Sequence, residues 1–144
     1  TIIEFFGVSL ANNLIKKKYK ADLIVANNVI AHLSNIHDFV KGMKTLLNKN
    51  GTIIIEFQNF IEMVNKNLID NVYHEHYFYY SLTSIQNLLN KNGLKIYDVM
   101  KINVHGGSLR VFACHSNDKL KETKNFKNMS QIELKDSKLP GLLL

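Results

Sequence analysis

The 144 residues contain one cysteine, one proline, one arginine and no tryptophan. Each scarcity excludes something. Cys114 alone closes no disulfide within the chain and builds no cysteine-based zinc site. A lone thiol fits a reducing, cytoplasmic setting. Arg110 is the single guanidinium, and sequence-specific readers of nucleic acid rely on several for bidentate base contacts. The remaining basic residues are lysines, scattered apart from Lys16-Lys17-Lys18, so the formal charge of +6 reads as a solvated lysine-rich surface. No nucleic-acid partner is expected. No apolar run approaches the ~20 residues of a membrane-crossing helix, so no membrane partner is expected. Thr1 to Gly7 has neither the basic start nor the small-residue cleavage site of a signal peptide. It begins inside an apolar run without an initiator methionine, and the chain is expected to start mid-domain.

What is present is an α/β pattern. Thr1 to Phe6 reads as a short buried strand. Gly7 to Lys18 carries Leu10, Leu14 and Ile15 at helical spacing, with lysines where a helix C-terminus favours them. Ala21 to Ala26 is a continuous apolar run, as in a parallel strand buried on both faces. Ile36, Phe39, Val40, Met43, Leu46 and Leu47 mark an amphipathic helix capped by Ser34 or Asn35 and stopped by Gly51. Thr52 to Phe57 is the next buried strand, which completes a βαβ unit. The long connection from Gln58 to Tyr80 has room for one helical turn near Ile61 to Asn65. Ser81 caps a helix bearing Leu82, Ile85, Leu88 and Leu89, and Gly93 ends it. Leu94 to Val99 and Leu109 to Cys114 follow as strands with no helix between them, as antiparallel neighbours do. Ser116 to Lys138 is polar, with little apolar periodicity, and Pro140-Gly141 with three leucines reads as a severed end.

In open α/β sheets, ligands bind beyond the carboxyl ends of the strands. That rule selects Asn27, Asn28 and His32 after one strand, and Gln58, Asn59 and the loop with Tyr73-His74-Glu75-His76 after the next. Imidazole titrates near neutrality and a carboxylate can tune it, so this tetrapeptide can move protons where aromatics keep water out. Tyr77, Phe78, Tyr79 and Tyr80 follow at once. In an extended stretch His74 and His76 share one side, and His76 is favoured as the base. Two other readings stand beside this one. A metal site using His74 and His76 lacks the i, i+4 spacing of a zinc-binding helix, so none is expected. An aromatic plug with a purely structural role is the other. His105-Gly106-Gly107-Ser108-Leu109-Arg110 puts two glycines beside a hydroxyl and the only guanidinium. It reads as an anion cradle or as a hairpin turn.

Ala21 to His32, Tyr73 to Tyr77 and His105 to Arg110, in this order and spacing, resemble the S-adenosylmethionine-dependent sugar C-methyltransferases, over roughly residues 1 to 115. The resemblance implies the second half of a Rossmann-like class I methyltransferase core with a terminal antiparallel strand pair. Residues 116–144 would be a polar tail or the truncated start of a further domain. It implies S-adenosyl-L-methionine as methyl donor and a nucleotide-linked 4-keto-deoxyhexose as substrate, methylated at carbon 3 through an enolate. By motif, His76 is the implied base, with Glu75 orienting it or competing with it. Tyr73 and His32 would line the same pocket and hold the keto oxygen. Asn27 and Asn28 would face the cofactor, and His74, His105, Ser108 and Arg110 the nucleotide sugar. The family's cysteine-rich zinc domain, its Gly-rich cofactor loop and its C-terminal domain have no counterpart here. Zinc is therefore expected only in an N-terminal domain that this sequence lacks, and the fragment alone is expected to be inactive. A class I methyltransferase with another small acceptor, and a non-catalytic α/β binding domain, are the alternatives.

Overall fold

The computed structural model describes residues 1–136. Four strands form one mixed sheet in the order β1 (Ala21–Asn27), β2 (Leu47–Gln58), β4 (Ser108–His115) and β3 (Leu94–Ile102). β1 and β2 are parallel, and β4 runs antiparallel to both β2 and β3. Helix α1 (Val8–Lys16) precedes β1, and α2 (Ile36–Leu46) joins β1 to β2 as the parallel pair requires. α3 (Phe60–Asn65) opens the long connection, α4 (Leu82–Lys91) closes it, and α5 (Lys124–Asp136) follows β4.

The strand period of two sorts the sheet into unequal faces. Ile53, Ile55 and Phe57 of β2 point to one side with Ala26, Val111, Ala113, Ile96 and Val99, and all are buried. α2 contributes Phe39, Val40 and Met43 to the same core, and α4 contributes Ile85, Leu88 and Leu89. Caps foreseen from sequence are in place. The Asp38 amide donates to Asn35 Oδ1 at 3.2 Å. Ser81 and Ser84 exchange side-chain bonds in a capping box, at 3.3 and 2.8 Å.

Four local expectations change. Thr1 to Phe6 is not a strand: no ladder pairs with it and Phe5 is fully exposed. Only Phe6 is held there, edge-on to Phe39 with centroids 5.5 Å apart. β1 is not buried on both faces. Leu23 and Val25 are 56% and 54% exposed, because α2 and α4 cover only the side that carries Ala26. Gly51 does not stop α2, which passes straight into β2 at Leu47. The polar stretch from Ser116 contains α5, whose Phe126 is buried in the core and whose buried Glu133 caps the start of α4. Its two carboxylate oxygens accept from the Leu82 and Thr83 amides at 2.8 and 2.6 Å. Sparse apolar spacing hid this helix, since one aromatic and one acceptor hold it. Pro140-Gly141 lies outside the described residues.

α1 crosses α2 at a point where only glycine fits. A Cβ on Gly42 would sit 2.6 Å from the Gly7 carbonyl carbon. Gly42→Ala is therefore expected to force the two helices apart and to cost about 2 kcal/mol in urea unfolding. An unchanged midpoint would mean that the crossing yields freely. Removing the cap with Glu133→Ala should cost a similar ~2 kcal/mol. Hydrogen exchange at the amides of Leu82 and Thr83 should speed up in that variant, and unaltered exchange would show that water replaces the carboxylate without loss.

Candidate functional site

Three loops meet at the carboxyl end of β2, and each is fastened there by hydrogen bonds. From β1, the Asn28 amide donates to the Glu56 carbonyl at 2.8 Å, with Asn28 in the left-handed region at φ 53°. From the long connection, Asn59 pairs with Tyr80, and the Phe60 amide donates to the Tyr80 carbonyl at 2.9 Å. From the β3–β4 turn, the Gly107 carbonyl accepts from the Asn59 amide at 3.0 Å, and the His105 carbonyl accepts from Gln58 Nε2 at 2.7 Å. The connection is also tied sideways to the β1 loop, because the Tyr77 amide donates to the Ala31 carbonyl at 2.8 Å.

Between these loops lies a cleft of about 270 Å³ lined by Asn28, His32, Gln58, Asn71, Tyr73, His76 and His105 on its polar side. Ala31, Phe57, Phe78, Tyr79 and Tyr80 complete its wall. Ligand pockets commonly start at about 300 Å³, so this space suits one ring-sized group.

Its chemistry centres on two imidazoles and a phenol. Tyr73 Oη lies 2.8 Å from His76 Nε2, and the His32 and His76 rings meet edge to face with centroids 4.7 Å apart. His32 Nδ1 lies 3.0 Å from the Glu75 carbonyl oxygen. A carbonyl only accepts, so His32 carries its proton on Nδ1 and leaves the Nε2 lone pair free. Desolvation pushes the His76 pKa below the ordinary imidazole value, and His32 pushes the same way, against a smaller opposing pull from Glu75. His76 is therefore neutral, and able to accept a proton, at neutral pH.

Of the residues singled out from sequence, Asn28, His32, Tyr73, His76 and His105 converge on the cleft. Asn27, Glu75, His74, Ser108 and Arg110 do not line it. Glu75 reaches the site through its main chain, as the acceptor for His32. His74 is exposed. Ser108 is buried and donates to the Val104 carbonyl at 3.2 Å. Arg110 is committed to Glu56, with Nη2 and Nε at 2.7 and 3.1 Å from the same carboxylate oxygen. The two glycines serve packing. A Cβ on Gly106 would meet Leu68 Cδ1 at 2.4 Å, and one on Gly107 would meet Glu62 Cβ at 3.1 Å. Lys66 Nζ further pins the turn through the Gly106 carbonyl at 2.8 Å.

Sequence reasoning missed Asn71, which reaches the cleft from a 3-10 turn at Ile69–Asn71. No motif marked it. Phe57 could have been found as the last apolar residue of β2, where the crevice rule applies. Among the described residues no three His, Cys, Asp or Glu side chains are grouped to hold a metal ion, and no helix is long and apolar enough to cross a membrane.

Comparison with known proteins agrees with this architecture. The C-methyltransferase NovU of Streptomyces niveus is 33% identical over 113 residues, which are 78% of this chain and 27% of that protein. The chain thus spans about a quarter of that relative's length. Magnesium protoporphyrin IX methyltransferase from Synechocystis PCC 6803, solved with bound SAH, has a similar fold at a TM-score of 0.52 and 16% identity. That match covers 68% of this chain and 46% of the other. The 1,6-didemethyltoxoflavin-N1-methyltransferase of Burkholderia thailandensis matches at a TM-score of 0.54 and 15% identity, over 67% of this chain and 44% of its own. At such identities the likeness concerns the fold alone, a class I methyltransferase sheet. The methyltransferase domain family matches residues 4–99, more than half of the sequence. The chain belongs to that family.

Proposed function

We propose that the protein containing this chain is an S-adenosylmethionine-dependent C-methyltransferase that acts on carbon 3 of a nucleotide-linked 4-keto-deoxyhexose. The observation that carries the reading is the neutral His32–His76 pair with Tyr73 in a ring-sized cleft at the strand ends. A carbon can be methylated only after it becomes a nucleophile, and a base beside an acidic C–H achieves that. The similarity to a C-methyltransferase supports the same chemistry.

Asn28 fits one polar edge of the cofactor. It lines the cleft from the end of β1, and no side chain of the described residues hydrogen-bonds its amide. Asn27, exposed beside it, is the second candidate for that edge. No Gly-rich loop is present to hold the methionine end. The bound cofactor supplies an electrophilic methyl group on a positively charged sulfur.

His76 takes the proton alpha to the ketone, and the C–H electron pair passes into the enolate. The enolate carbon then bonds to the methyl group as the sulfur–methyl bond breaks. Tyr73 holds the His76 ring in place, and its hydroxyl is within reach to pass a proton. The Glu75 carbonyl orients His32 across from it. The cleft is too small to enclose a nucleotide sugar and the cofactor together, so the nucleotide lies outside it.

The first test follows solvent deuterium exchange at carbon 3 of a dTDP-4-keto-deoxyhexose, and methyl transfer, in the full-length protein. His76→Ala is expected to reduce both by at least about a hundredfold. Exchange that survives in His76→Ala but disappears in His32→Asn transfers the role of base to His32. A second test is the pH profile. Because His76 titrates below an ordinary imidazole, kcat/KM should hold its plateau down through the pH range where free imidazole protonates, and fall only below it. A profile that already falls above the ordinary imidazole value speaks against His76 as the base.

A further inference from the structure

The mechanism above leaves one charge without a partner. When the alpha proton leaves, negative charge collects on the ketone oxygen, and stabilising it requires a hydrogen-bond donor already in place. The obvious neighbours are not free to donate. His32 has its one proton on Nδ1, directed at the Glu75 carbonyl, and offers a lone pair at Nε2. The Tyr73 hydroxyl is engaged with His76 Nε2. Gln58 Nε2 already donates to the His105 carbonyl.

Tyr80 is different. Its residue is 6% exposed, it lines the cleft, and its hydroxyl is enclosed with no hydrogen-bond partner among the described residues. The ring stands edge-on to Phe57 and tilted against Phe78, with centroids 5.8 and 6.0 Å away, so the surroundings are apolar. Its main chain cannot shift to find a partner. The Tyr80 carbonyl accepts from the Phe60 amide, its strand-like bridge to Asn59 is fixed, and Ser81 next to it caps α4. An enclosed hydroxyl without a partner lowers stability, and such groups mark places where something else completes the bond.

We propose that the Tyr80 hydroxyl donates its hydrogen bond to the acceptor's ketone oxygen and strengthens that bond as the oxygen becomes an enolate. This rests on the ketone reading of the cleft given above. The donor is preorganised, because packing fixes the ring before the ligand arrives. It acts in a water-poor setting, where a single hydrogen bond to developing charge counts for more than at the surface. It also stays protonated. Burial pushes the phenol pKa far above its ordinary value, so no working pH turns it into an anion that would repel the enolate. The other unengaged polar groups on the cleft, Asn28 and His105, are exposed and remain hydrated, and Asn71 is half-buried.

Tyr80→Phe separates this role from a structural one. It removes one oxygen and keeps the ring that packs on Phe57. In the free full-length protein it is expected to raise Tm slightly, because a group without a partner has been deleted. In turnover with S-adenosylmethionine and a dTDP-4-keto-deoxyhexose it is expected to lower kcat about a hundredfold. KM should change far less, and so should the dissociation constant for S-adenosylhomocysteine. Carbon-3 deuterium exchange, which needs the enolate but no methyl transfer, should fall by the same factor as kcat. A lower Tm with unchanged kcat would show that the hydroxyl has a partner in the free protein, and would overturn the proposal. So would wild-type kcat and exchange in the variant. If the wild-type protein neither exchanges nor methylates the keto sugar, the ketone reading itself falls and takes this proposal with it.

Discussion

Everything that reaches the cleft is anchored to the last three residues of β2. Glu56 offers its carbonyl to the β1 loop, Gln58 holds the β3–β4 turn through its side chain, and Asn59 binds the same turn and the far end of the long connection. These groups can serve as anchors because β2 lies inside the sheet, paired to β1 on one edge and β4 on the other. A strand paired on both edges cannot slip without turning every buried side chain outward. The position of His76 relative to His32 is therefore inherited from the burial of Ile53, Ile55 and Phe57 many residues earlier. Long connections cost entropy to close. This one is closed at both ends on Asn59 and Tyr80, and in the middle on Ala31, which is how over twenty residues hold a defined geometry.

The same packing sets the electrostatics. An imidazole in water would spend much of its time protonated near its ordinary pKa. His76 does not, because aromatic walls strip its hydration and a second imidazole stands at 4.7 Å, where a shared positive charge is penalised. Tyr79 closes the third side of the His76 ring, with centroids 5.6 Å apart. Its hydroxyl also accepts from the Tyr73 amide at 3.2 Å, so the aromatic run after His76 braces the phenol that precedes it. The residues after the titratable cluster are thus part of how the cluster works.

Much of this was legible in the sequence, for physical reasons that differ by element. The core helices announced themselves because one-sided burial imposes a periodic pattern, as at Phe39, Val40 and Met43. The site was found by geometry, since the crevice rule needs only the ends of two parallel strands. What escaped depended on contacts between distant parts. α5 is held by Glu133 reaching the amides of Leu82 and Thr83, some fifty residues away, and no local spacing encodes that. β1 looked like a doubly covered strand because apolar composition does not say which face has a neighbour. The role imagined for Glu75 as a carboxylate orienting His76 is different in kind. Its main-chain oxygen holds His32, and main-chain roles leave no mark on residue identity.

Arg110 shows how register decides what a charge is able to do. The antiparallel pairing sets it directly opposite Glu56, and the alternation that sends Phe57 and Leu109 into the core sends this pair to the other face. Glu56 is buried, and a carboxylate in that position is tolerated only with a partner that also donates hydrogen bonds. Arg110 provides two. For the guanidinium to leave and bind a phosphate, Glu56 would have to stand buried and unpaired, which is far costlier than losing a surface ion pair. An anion would therefore have to approach the existing pair or replace the carboxylate outright. Arg110 is thus a fixed part of the sheet, and the recognition of any charged group on the acceptor falls to residues that are not already spoken for.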